Sequence, residues 1–368
     1  MRIALVDPAS YTLPYDHHLA SALARRGHDV ELLAAPFPFG TPPEPDGYRR
    51  SELFFVRSGP LLRRSPRSPL RFAAKGIEYL PSARRLLRRV DELDPGVVHV
   101  QWLPYPALDR RWLRALARKG PVVFTAHDVL PQRSEDRVEL WRDVFSTAHR
   151  TVVHSEPARE RLLGLGIEPG KLAVVPHAVF PARGAVSPPA GRSILFFGLI
   201  RRSKGLDLLI RALPQVPDAR LVVAGDPLEP AEPYRELAEQ LGVADRIEWR
   251  LRFVGDEEAE ELMASAAIVV LPYRRIESSG VLATALGHGR PVVVTDVGSL
   301  GETVREFGAG LVVPPEDPAA ISGASLSLLD DSAALQAAFE GTRRAASVLS
   351  WDAAAAAHER LYEEIARR

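Results

Sequence analysis

The residues best suited to chemistry are three cations that follow a glycine in the second half of the chain. In segment 196–213, FFGLIRRSKGLDLLIRAL, an apolar strand pattern ends at Gly198, and Arg201, Arg202 and Lys204 precede a helical pattern. Guanidinium and ammonium groups add to the amide dipoles of a helix N-terminus, and together they attract phosphate. The turn therefore predicts a diphosphate site, and a solvated basic turn is the alternative.

A second such turn lies in segment 271–302, where Ser278, Ser279 and Gly280 precede a short apolar helical pattern. We expect Gly287 or Gly289 to end this helix before a buried strand. A serine cap followed by a glycine leaves the first amides of the helix open to an anion. An ordinary capped helix without a ligand is the alternative.

Alternating strand and helix patterns position both turns. The chain begins with a strand at 2–7, an amphipathic helix at 15–27 that Gly27 ends, and a strand at 28–35. This repeated order predicts an α/β fold with parallel sheets covered on both faces. Further strands are predicted at 96–102, 121–127, 150–155, 171–177, 193–198, 219–226, 245–251, 266–273 and 290–296, with helices at 204–213, 232–241, 256–264 and 280–287.

The 368 residues exceed what a single core usually holds, and the strand pattern restarts after a segment that is rich in proline and lacks periodicity. We therefore expect a first domain at 1–180, a linker at 181–192 and a second domain at 193–349. A strong helical pattern at 350–368 closes the chain, with Ser350 or Asp352 as its cap. Open parallel sheets bind ligands beyond the carboxyl ends of their strands, so a cleft between two such domains suits a polar ligand.

Composition excludes several classes of protein. The 47 basic and 47 acidic residues balance, which gives no support to a nucleic-acid partner. The absence of cysteine excludes disulfides, thiolate metal sites and thiol nucleophiles. With no Asp-x-Asp and no His-Glu-x-x-His motif, we expect no metal. Only four apolar residues precede Asp7 and no run approaches the ~20 of a membrane span, so we expect a cytoplasmic protein.

The two turns and their spacing resemble the nucleotide-binding half of the GT-B glycosyltransferases, of the retaining family 4 type. In that family a Gly-Arg…Lys-Gly turn holds the donor diphosphate, and the strands LVVAGD and GHGRPVVVTDVGS have counterparts. The blocks ALARRGHDVELL, DPGVVHVQW, VVFTAHD, TVVHSEPARERL and KLAVVPHAV match the first half in order. The resemblance spans nearly the whole chain and implies two Rossmann-like domains facing across a cleft. It also implies that the terminal helix at Trp351 crosses back to the first domain.

The chain departs from the family in the donor turn. Leu199 stands where the family's arginine follows the glycine, so the resemblance assigns the phosphate contacts to Arg201 and Lys204, beside Gly198. The first-domain Gly-Gly loop of the family is also absent, and residues 9–15 replace it.

The family's two glutamates fall on Ile276 and Thr284. We expect Glu277, one residue from the first position, to face the donor sugar, and Thr284 to bond a ribose hydroxyl. The remaining donor-binding residues that the resemblance implies are at the helix start: Ser278, Ser279, Gly280 and Val281.

In the first domain, His127 follows a predicted strand and aligns with the family histidine that contacts the donor sugar. A structural, hydrogen-bonding histidine is the alternative. We expect His99 to be structural, and Trp102 with Tyr105 to form an acceptor platform. A solvated first turn of the first helix explains Tyr15, His17 and His18 equally well.

The resemblance implies an enzyme that moves a hexose from a nucleoside-diphosphate sugar to an acceptor, with retention and without a metal or other cofactor. Arg201 and Lys204 would stabilise the leaving diphosphate, while His127 and Glu277 would orient the sugar. A sugar-nucleotide epimerase and a non-catalytic nucleotide-sugar-binding relative are the alternatives. The missing glutamate pair motivates the second of these.

A basic segment at 57–89 sets ten cations against Glu78 alone. Leucines interleave with the cations, so the segment suits an anionic membrane surface or an anionic acceptor. This pattern predicts peripheral association with the inner face of the membrane, and a solvated basic surface is the alternative. The cations are Arg57, Arg63, Arg64, Arg67, Arg71, Lys75, Arg84, Arg85, Arg88 and Arg89.

Overall fold

The computed structural model describes residues 1–58, 69–131 and 134–367. The strands are β1 (Arg2–Asp7), β2 (Asp29–Ala34), β3 (Arg49–Glu52), β4 (Val97–Val100), β5 (Val122–Thr125), β6 (Arg150–Val153), β7 (Leu172–Val174), β8 (Ser193–Phe197), β9 (Arg220–Ala224), β10 (Ile247–Arg250), β11 (Ile268–Leu271), β12 (Val292–Thr295) and β13 (Gly310–Val313).

The helices are α1 (Leu13–Arg25), α2 (Pro69–Leu93), α3 (Pro106–Ala117), α4 (Val138–Thr147), α5 (Glu156–Gly164), α6 (Leu206–Ala212), α7 (Glu232–Gln240), α8 (Asp256–Ser265), α9 (Gly280–Gly287), α10 (Leu300–Phe307), α11 (Pro318–Leu329), α12 (Ser332–Val348) and α13 (Trp351–Ala366). None of these described helices has the length and apolar character needed to cross a membrane.

The chain divides into two compact units, residues 1–176 with 351–368, and residues 177–350. The first holds a parallel sheet in the order β3-β2-β1-β4-β5-β6-β7, and the second a parallel sheet in the order β10-β9-β8-β11-β12-β13. The α/β class and the two doubly wound sheets are as the sequence predicts. In each sheet the strand order reverses once, beside β1 in the first unit and beside β8 in the second. Such switch points are where open α/β sheets bind ligands.

The buried strands explain why sequence patterning locates most of this architecture. Strand β4 is buried along its whole length, as are β5, β11 and β12, because helices cover both faces of each sheet. Helix α1 ends where expected, since Gly27 takes a left-handed backbone with φ of 86°.

Two strands lack a predicted counterpart. Strand β3 reads Arg-Arg-Ser-Glu and lies at the edge of its sheet, so it carries no apolar pattern. Strand β13 begins at Gly310, two residues after Gly308, and this pair of glycines resembles a loop in sequence. A Cβ atom at Gly310 would overlap the carbonyl of Val292, so glycine lets these two strands pair.

Residues 177–192 belong to the second unit. This part of the first unit therefore ends at residue 176, four residues before the expected end of the first domain at 180. The Phe180 amide donates to the Ala283 carbonyl on α9 at 3.3 Å, and a Cβ atom at Gly287 would overlap the Phe180 carbonyl. The expected linker 181–192 is also hydrogen-bonded to the second unit, because the buried Arg290 donates to the Ser187 carbonyl. Helix α13 lies in the first unit, where Trp351 packs edge-on against Tyr15 at 5.0 Å.

Candidate active site

The switch point of the second unit brings the predicted basic turn against β11. Lys204 is 8% exposed, and its Nζ atom lies 3.7 Å from the ring centroid of Tyr273, which follows β11. Burial raises the pKa of the Tyr273 hydroxyl to about 12, while Ser279 and the positive charge of Arg201 act against that rise. Residues of both predicted turns therefore surround one buried tyrosine.

Glycines allow the close approach of these loops. Gly205 ends the short helical turn Arg202–Lys204 in a left-handed conformation with φ of 68°. A Cβ atom there would overlap the carbonyl of Pro272, and one at Gly225 would overlap that of Gly198. The predicted Gly198 itself has φ of 107°. Only glycine fits these positions, so the turn that carries Lys204 has its place fixed by backbone packing.

The Arg201 side chain has a donor that suits a bound anion. Its Nε atom is buried without a hydrogen-bond partner among the described residues. A buried donor of this kind costs about 1–3 kcal/mol when left unpaired, which an anion at the site would offset.

Arg274 holds this turn in place, and the sequence gives no assignment to it. Its amide donates to Ser203 at 2.9 Å and its guanidinium to the Arg202 carbonyl at 2.8 Å. The same guanidinium forms a bidentate pair with Asp207 at 2.7 and 2.8 Å. In the sequence, this role of Arg274 was indicated by its position directly after Tyr273, in the loop that follows β11.

The second predicted turn begins α9. The Ser279 hydroxyl accepts from the Leu282 amide at 3.2 Å, as a cap does, so the amides of Gly280 and Val281 remain for a ligand. The Thr284 hydroxyl donates to the Gly280 carbonyl at 2.9 Å within the helix. That donation leaves Thr284 only its acceptor capacity for a ribose hydroxyl.

The loop before α9 places Glu277 and Ser278, both half-buried. The Glu277 carbonyl accepts from the Ser299 amide at 2.9 Å. Gly298, with φ of 55°, packs so closely that a Cβ atom there would overlap the carbonyls of Ile276 and Glu277. The backbone position of Glu277 is therefore set by β12 and the residues that follow it.

In the first unit, the ends of three neighbouring strands form a row of hydrogen bonds. Gln101 follows β4, His127 follows β5 and His154 follows β6. His127 Nε2 lies 3.1 Å from Gln101 Oε1, and His127 Nδ1 lies 3.2 Å from His154 Nε2. His154 Nδ1 lies 2.9 Å from the Val175 carbonyl.

This row determines which nitrogen of His127 carries a proton. The Val175 carbonyl only accepts, so His154 donates to it from Nδ1. Burial lowers the pKa of His154 to about 4, so its ring is neutral at pH 7 and its Nε2 atom accepts. His127 therefore donates from Nδ1, and its Nε2 atom is the one next to Gln101.

Three other histidines of this unit, His17, His18 and His99, contact neighbouring side chains. His99 is fully buried, with Tyr362 at 2.6 Å and Thr125 at 2.7 Å, as suits a structural residue. The expectation of a solvated turn at Tyr15, His17 and His18 is wrong. Tyr15 is 3% exposed and packs edge-on against His127 at 4.9 Å, because α1 lies against other parts of the first unit. His18 stacks on Trp351, and His17 bonds the Tyr48 hydroxyl at 3.0 Å.

The two residues of the expected acceptor platform separate. Trp102 stacks on Tyr11 with ring centroids 5.6 Å apart and 23° between the planes. Tyr105 packs instead against Phe55 and Tyr79, with centroids 6.3 and 5.8 Å away, at the start of α3. The loop 9–15 supplies Tyr11, which the sequence gives no role.

The structure describes only part of the basic segment. Arg63, Arg64, Arg67 and the side chain of Arg71 lie outside the described residues. Two of the other cations are paired within the unit, since Arg85 contacts Glu78 at 3.3 Å and Arg89 contacts the buried Glu31 at 2.8 Å.

Two family models match the chain. "Glycosyltransferase Family 4" matches residues 15–183, and "Glycosyl transferases group 1" matches residues 191–331. A phosphatidyl-myo-inositol mannosyltransferase of Mycolicibacterium smegmatis is 27% identical, over 90% of this chain and 85% of that protein. A D-inositol 3-phosphate glycosyltransferase of Acidothermus cellulolyticus is 29% identical, over 86% and 77% respectively.

Solved structures show the same fold along the whole chain. Sucrose-phosphate synthase from Thermosynechococcus elongatus superposes with a TM-score of 0.76 at 23% identity, over 99% of this chain and 98% of that one. Anabaena Alr3699/HepE, in complex with UDP-glucose, superposes with a TM-score of 0.72 at 15% identity, over 99% and 100%. The two parallel-sheet units of this chain therefore have the GT-B architecture.

Proposed function

Since this chain belongs to the glycosyltransferases, with a family 4 domain followed by a group 1 domain, we propose that it transfers a hexose with retention. The donor is a nucleoside-diphosphate sugar, bound by the second unit at the carboxyl ends of β8 and β11. The observation that carries this proposal is the buried Nε atom of Arg201, which has no hydrogen-bond partner in the described part of the chain, three positions before the buried Lys204. Two cations held at a sheet switch point suit a diphosphate.

The proposed reaction requires positive charge next to the leaving diphosphate. As the bond to the sugar breaks, negative charge collects on the leaving diphosphate and the sugar becomes oxocarbenium-like. Cations already held in place by Gly205 and by Arg274 need no reorganisation at that moment. The amides of Gly280 and Val281 add dipoles of the same sign.

The proposed reaction proceeds without a metal ion. Arg201 and Lys204 take over the neutralising role that a metal has in other diphosphate sites. Chelation with EDTA is therefore expected to leave turnover unchanged, and a loss restored by magnesium or manganese would contradict this part of the proposal.

His127 and Glu277 are proposed to orient the donor sugar. The neutral His154 accepts a hydrogen bond from His127 Nδ1 and the Gln101 side chain contacts His127 Nε2 at 3.1 Å, so these two neighbours fix the orientation of the ring. Glu277 contributes the carboxylate that Ile276 and Thr284 lack. A carboxylate that accepts from a sugar hydroxyl contributes about 1.5–3 kcal/mol, against about 1 kcal/mol for a neutral acceptor.

The test is a panel of UDP-, GDP- and ADP-hexoses, with release of the nucleoside diphosphate and the anomeric configuration of the product as readouts. We expect one donor to react with retention. Arg201→Gln is expected to weaken nucleoside-diphosphate binding at least tenfold, whereas Arg211→Gln, on the exposed side of α6, leaves it unchanged. Tight nucleotide binding without turnover on any donor would instead favour a non-catalytic relative, and equal binding by both variants would refute the site.

We also propose that α2 brings the protein to anionic membrane surfaces. Ile77 is 81% exposed and Leu80 is 61% exposed, and the exposed Arg84 and Arg88 follow on the same face one and two turns later. Apolar side chains beside cations are typical of interfacial helices. Each basic residue near such a surface contributes about 1 kcal/mol, which salt weakens.

Liposome flotation tests this association. We expect recovery with anionic vesicles at low salt, less at high salt, and less again for the double variant Arg84→Glu/Arg88→Glu. The matched control is Arg111→Glu/Arg118→Glu, which changes an exposed arginine of α3 and the exposed arginine that directly follows this helix. Equal recovery with neutral and anionic vesicles would show that the basic face is only solvated.

A further inference from the structure

Buried side chains extend the row of hydrogen bonds at His127 into the core of the first unit. His99 lies within β4 and Thr125 ends β5, and the two side chains are hydrogen-bonded across the strands at 2.7 Å. Gln101 and His127 repeat this contact at 3.1 Å, two residues further along each chain segment. Because alternate residues of a strand point to the same face, these four side chains share one face of the sheet. His99, Gln101 and Thr125 are fully buried there.

Helix α13 packs on this face and supplies the next hydrogen bond. The Tyr362 hydroxyl lies 2.6 Å from His99 Nδ1. His358, one turn earlier on α13, packs against the His99 ring with centroids 5.3 Å apart. Tyr362 and His358 are both fully buried. Ion pairs along α13 fix its position on the unit, and they join Arg25 to Asp352, Arg26 to Glu359 and Arg150 to Glu364.

The His99 ring connects Tyr362 to Gln101. Burial lowers the pKa of His99 well below its ordinary value, so the ring is neutral at pH 7. One ring nitrogen then donates and the other accepts, and the hydroxyls of Tyr362 and Thr125 complete both bonds. Gln101 Nε2 lies 3.4 Å from each of these two nitrogens, so the amide group is held against the ring. A turn of the His99 ring would therefore move Gln101, whose oxygen contacts His127 Nε2.

Packing alone does not require polar groups at this place. Apolar side chains of similar size would bury α13 without the cost of removing polar atoms from water. A buried polar network whose members are hydrogen-bonded instead holds its side chains in one arrangement. Here the network leads to His127, which is half-buried while the members behind it are fully buried.

We propose that Tyr362 and His99 are positioning residues for the transfer reaction, because through Gln101 they hold the His127 ring in its working orientation. This inference rests on the proposed function, in which His127 orients the donor sugar. Displacement of a positioned group by about 1 Å can lower a rate on the order of 10²-fold. The terminal helix α13 therefore takes part in forming the active site without touching the substrate.

Tyr362→Phe tests this role by removing one hydroxyl and keeping the ring. The matched control is Tyr48→Phe, since Tyr48 is 7% exposed and its hydroxyl also bonds a histidine Nδ1, that of His17, at 3.0 Å. We expect similar small falls in Tm for both variants. We expect kcat to fall at least about 5-fold for Tyr362→Phe alone, with nucleoside-diphosphate affinity unchanged. A kcat within about twofold of wild type, or an equal fall in the control, would overturn the inference.

A double-mutant cycle identifies the route by which Tyr362 acts. Gln101→Leu breaks the contact with His127, so adding Tyr362→Phe to it is expected to lower kcat no further. Falls in kcat that multiply would show that Tyr362 acts by another route, and they would overturn the role given to Gln101.

¹⁵N NMR of His127 in the full chain tests the inference without turnover. The imidazole resonances, assigned by their loss in His127→Gln, are expected to move in Tyr362→Phe and to keep their wild-type positions in Tyr48→Phe. Unmoved resonances in Tyr362→Phe would overturn the inference whether or not any donor reacts. Moved resonances together with no sugar transfer by the wild type would instead refute the proposed function, while confirming that Tyr362 positions His127.

Discussion

Replacing Lys204 by methionine separates its role in catalysis from its role in the fold. The ammonium lies 3.7 Å from the ring centroid of the buried Tyr273, a desolvated cation–π geometry that contributes about 2 kcal/mol. A methionine sulfur on the same ring restores about 0.3–1.5 kcal/mol. The net loss of folding stability is then roughly 1 kcal/mol, which corresponds to a fall in Tm of about 2–4 °C for a unit of this size.

The expected effect on turnover is much larger. A preorganised charge that meets the leaving group only in the transition state contributes about 2.7–4 kcal/mol, so we expect kcat to fall roughly 10²- to 10³-fold. A 1 kcal/mol loss of stability leaves a typical domain almost entirely folded. Reduced turnover with a small shift in Tm would therefore assign the lysine to the reaction.

The assay is steady-state release of the nucleoside diphosphate, with thermal unfolding of the same preparations. Lys75→Met is the matched control, because its Nζ atom also lies over a ring, 5.0 Å from the centroid of Phe55 in the first unit. We expect this control to retain wild-type turnover. The reasoning about Lys204 is refuted if Lys204→Met keeps kcat within about threefold of wild type, or if both variants lose turnover equally.

Three other substitutions test the remaining assignments. Glu277→Gln is expected to lower kcat at least tenfold. Thr284→Val is expected mainly to raise the donor KM, because the Thr284 hydroxyl already donates within α9 and offers only an acceptor. If steady-state kinetics show no change in either variant, the loop has been assigned the wrong role. His154→Phe removes the acceptor that keeps the His127 proton on Nδ1, a hydrogen bond whose loss costs about 1–3 kcal/mol, so we expect the proton to leave Nδ1 and kcat to fall roughly 5- to 150-fold. ¹⁵N NMR of His127 should show the Nδ1–H tautomer in wild type, and an unchanged tautomer in the variant would contradict the role. Burial lowers the pKa of His358 to about 4, so between pH 6.5 and 4 the unfolded chain binds a proton that the folded chain does not, and stability falls as pH falls. His358→Leu should reduce the drop in unfolding free energy between pH 7 and pH 5 by about 2 kcal/mol, and equal slopes in denaturant titrations would contradict this.

Sequence patterns predict best those strands whose burial is visible as a run of apolar residues. Strands such as β11 and β12 are apolar along their length because both faces of the sheet are covered, and a run of valines reflects that. The edge strand β3 has no apolar residues, since its four polar residues pair with β2 through the backbone and through polar side-chain contacts such as Ser51 with Glu31 at 2.8 Å. Backbone pairing is independent of side-chain type, so pattern analysis misses it.

The candidate site divides in the same way. The basic turn at Arg201 and Lys204 and the cap at Ser279 are local signals, because each depends on neighbours within a few residues. The row from Gln101 through His127 to His154 depends on the lateral order of three strands. Residues about 26 positions apart become hydrogen-bonded only through that order. Single-sequence patterns do not contain it, so the tautomer of His127 required the structure.

The motif Gly-Arg-Pro-Val-Val shows that a matched block can have a structural role. Arg290 is 2% exposed and donates to the carbonyls of His288 and Ala266 at 2.9 and 3.0 Å, as well as to Ser187. Each of its three guanidinium nitrogens donates to a backbone oxygen and the side chain is buried, so Arg290 is not accessible to a phosphate. Charge in a family motif therefore predicts a ligand only where the donor lacks a protein partner, as the Arg201 Nε atom does among the described residues.

Both units position their switch-point groups by the same physical means. In the first unit, a buried His99 ring bonded to two hydroxyls sets the place of Gln101. In the second, a left-handed Gly205 packed on the Pro272 carbonyl sets the place of Lys204. Ordering a flexible loop on binding would cost about 1–2 kcal/mol for each residue fixed, and here that cost is met during folding. Groups held before the substrate arrives can act on the transition state without reorganising, which is the condition under which charge and hydrogen bonding are most effective.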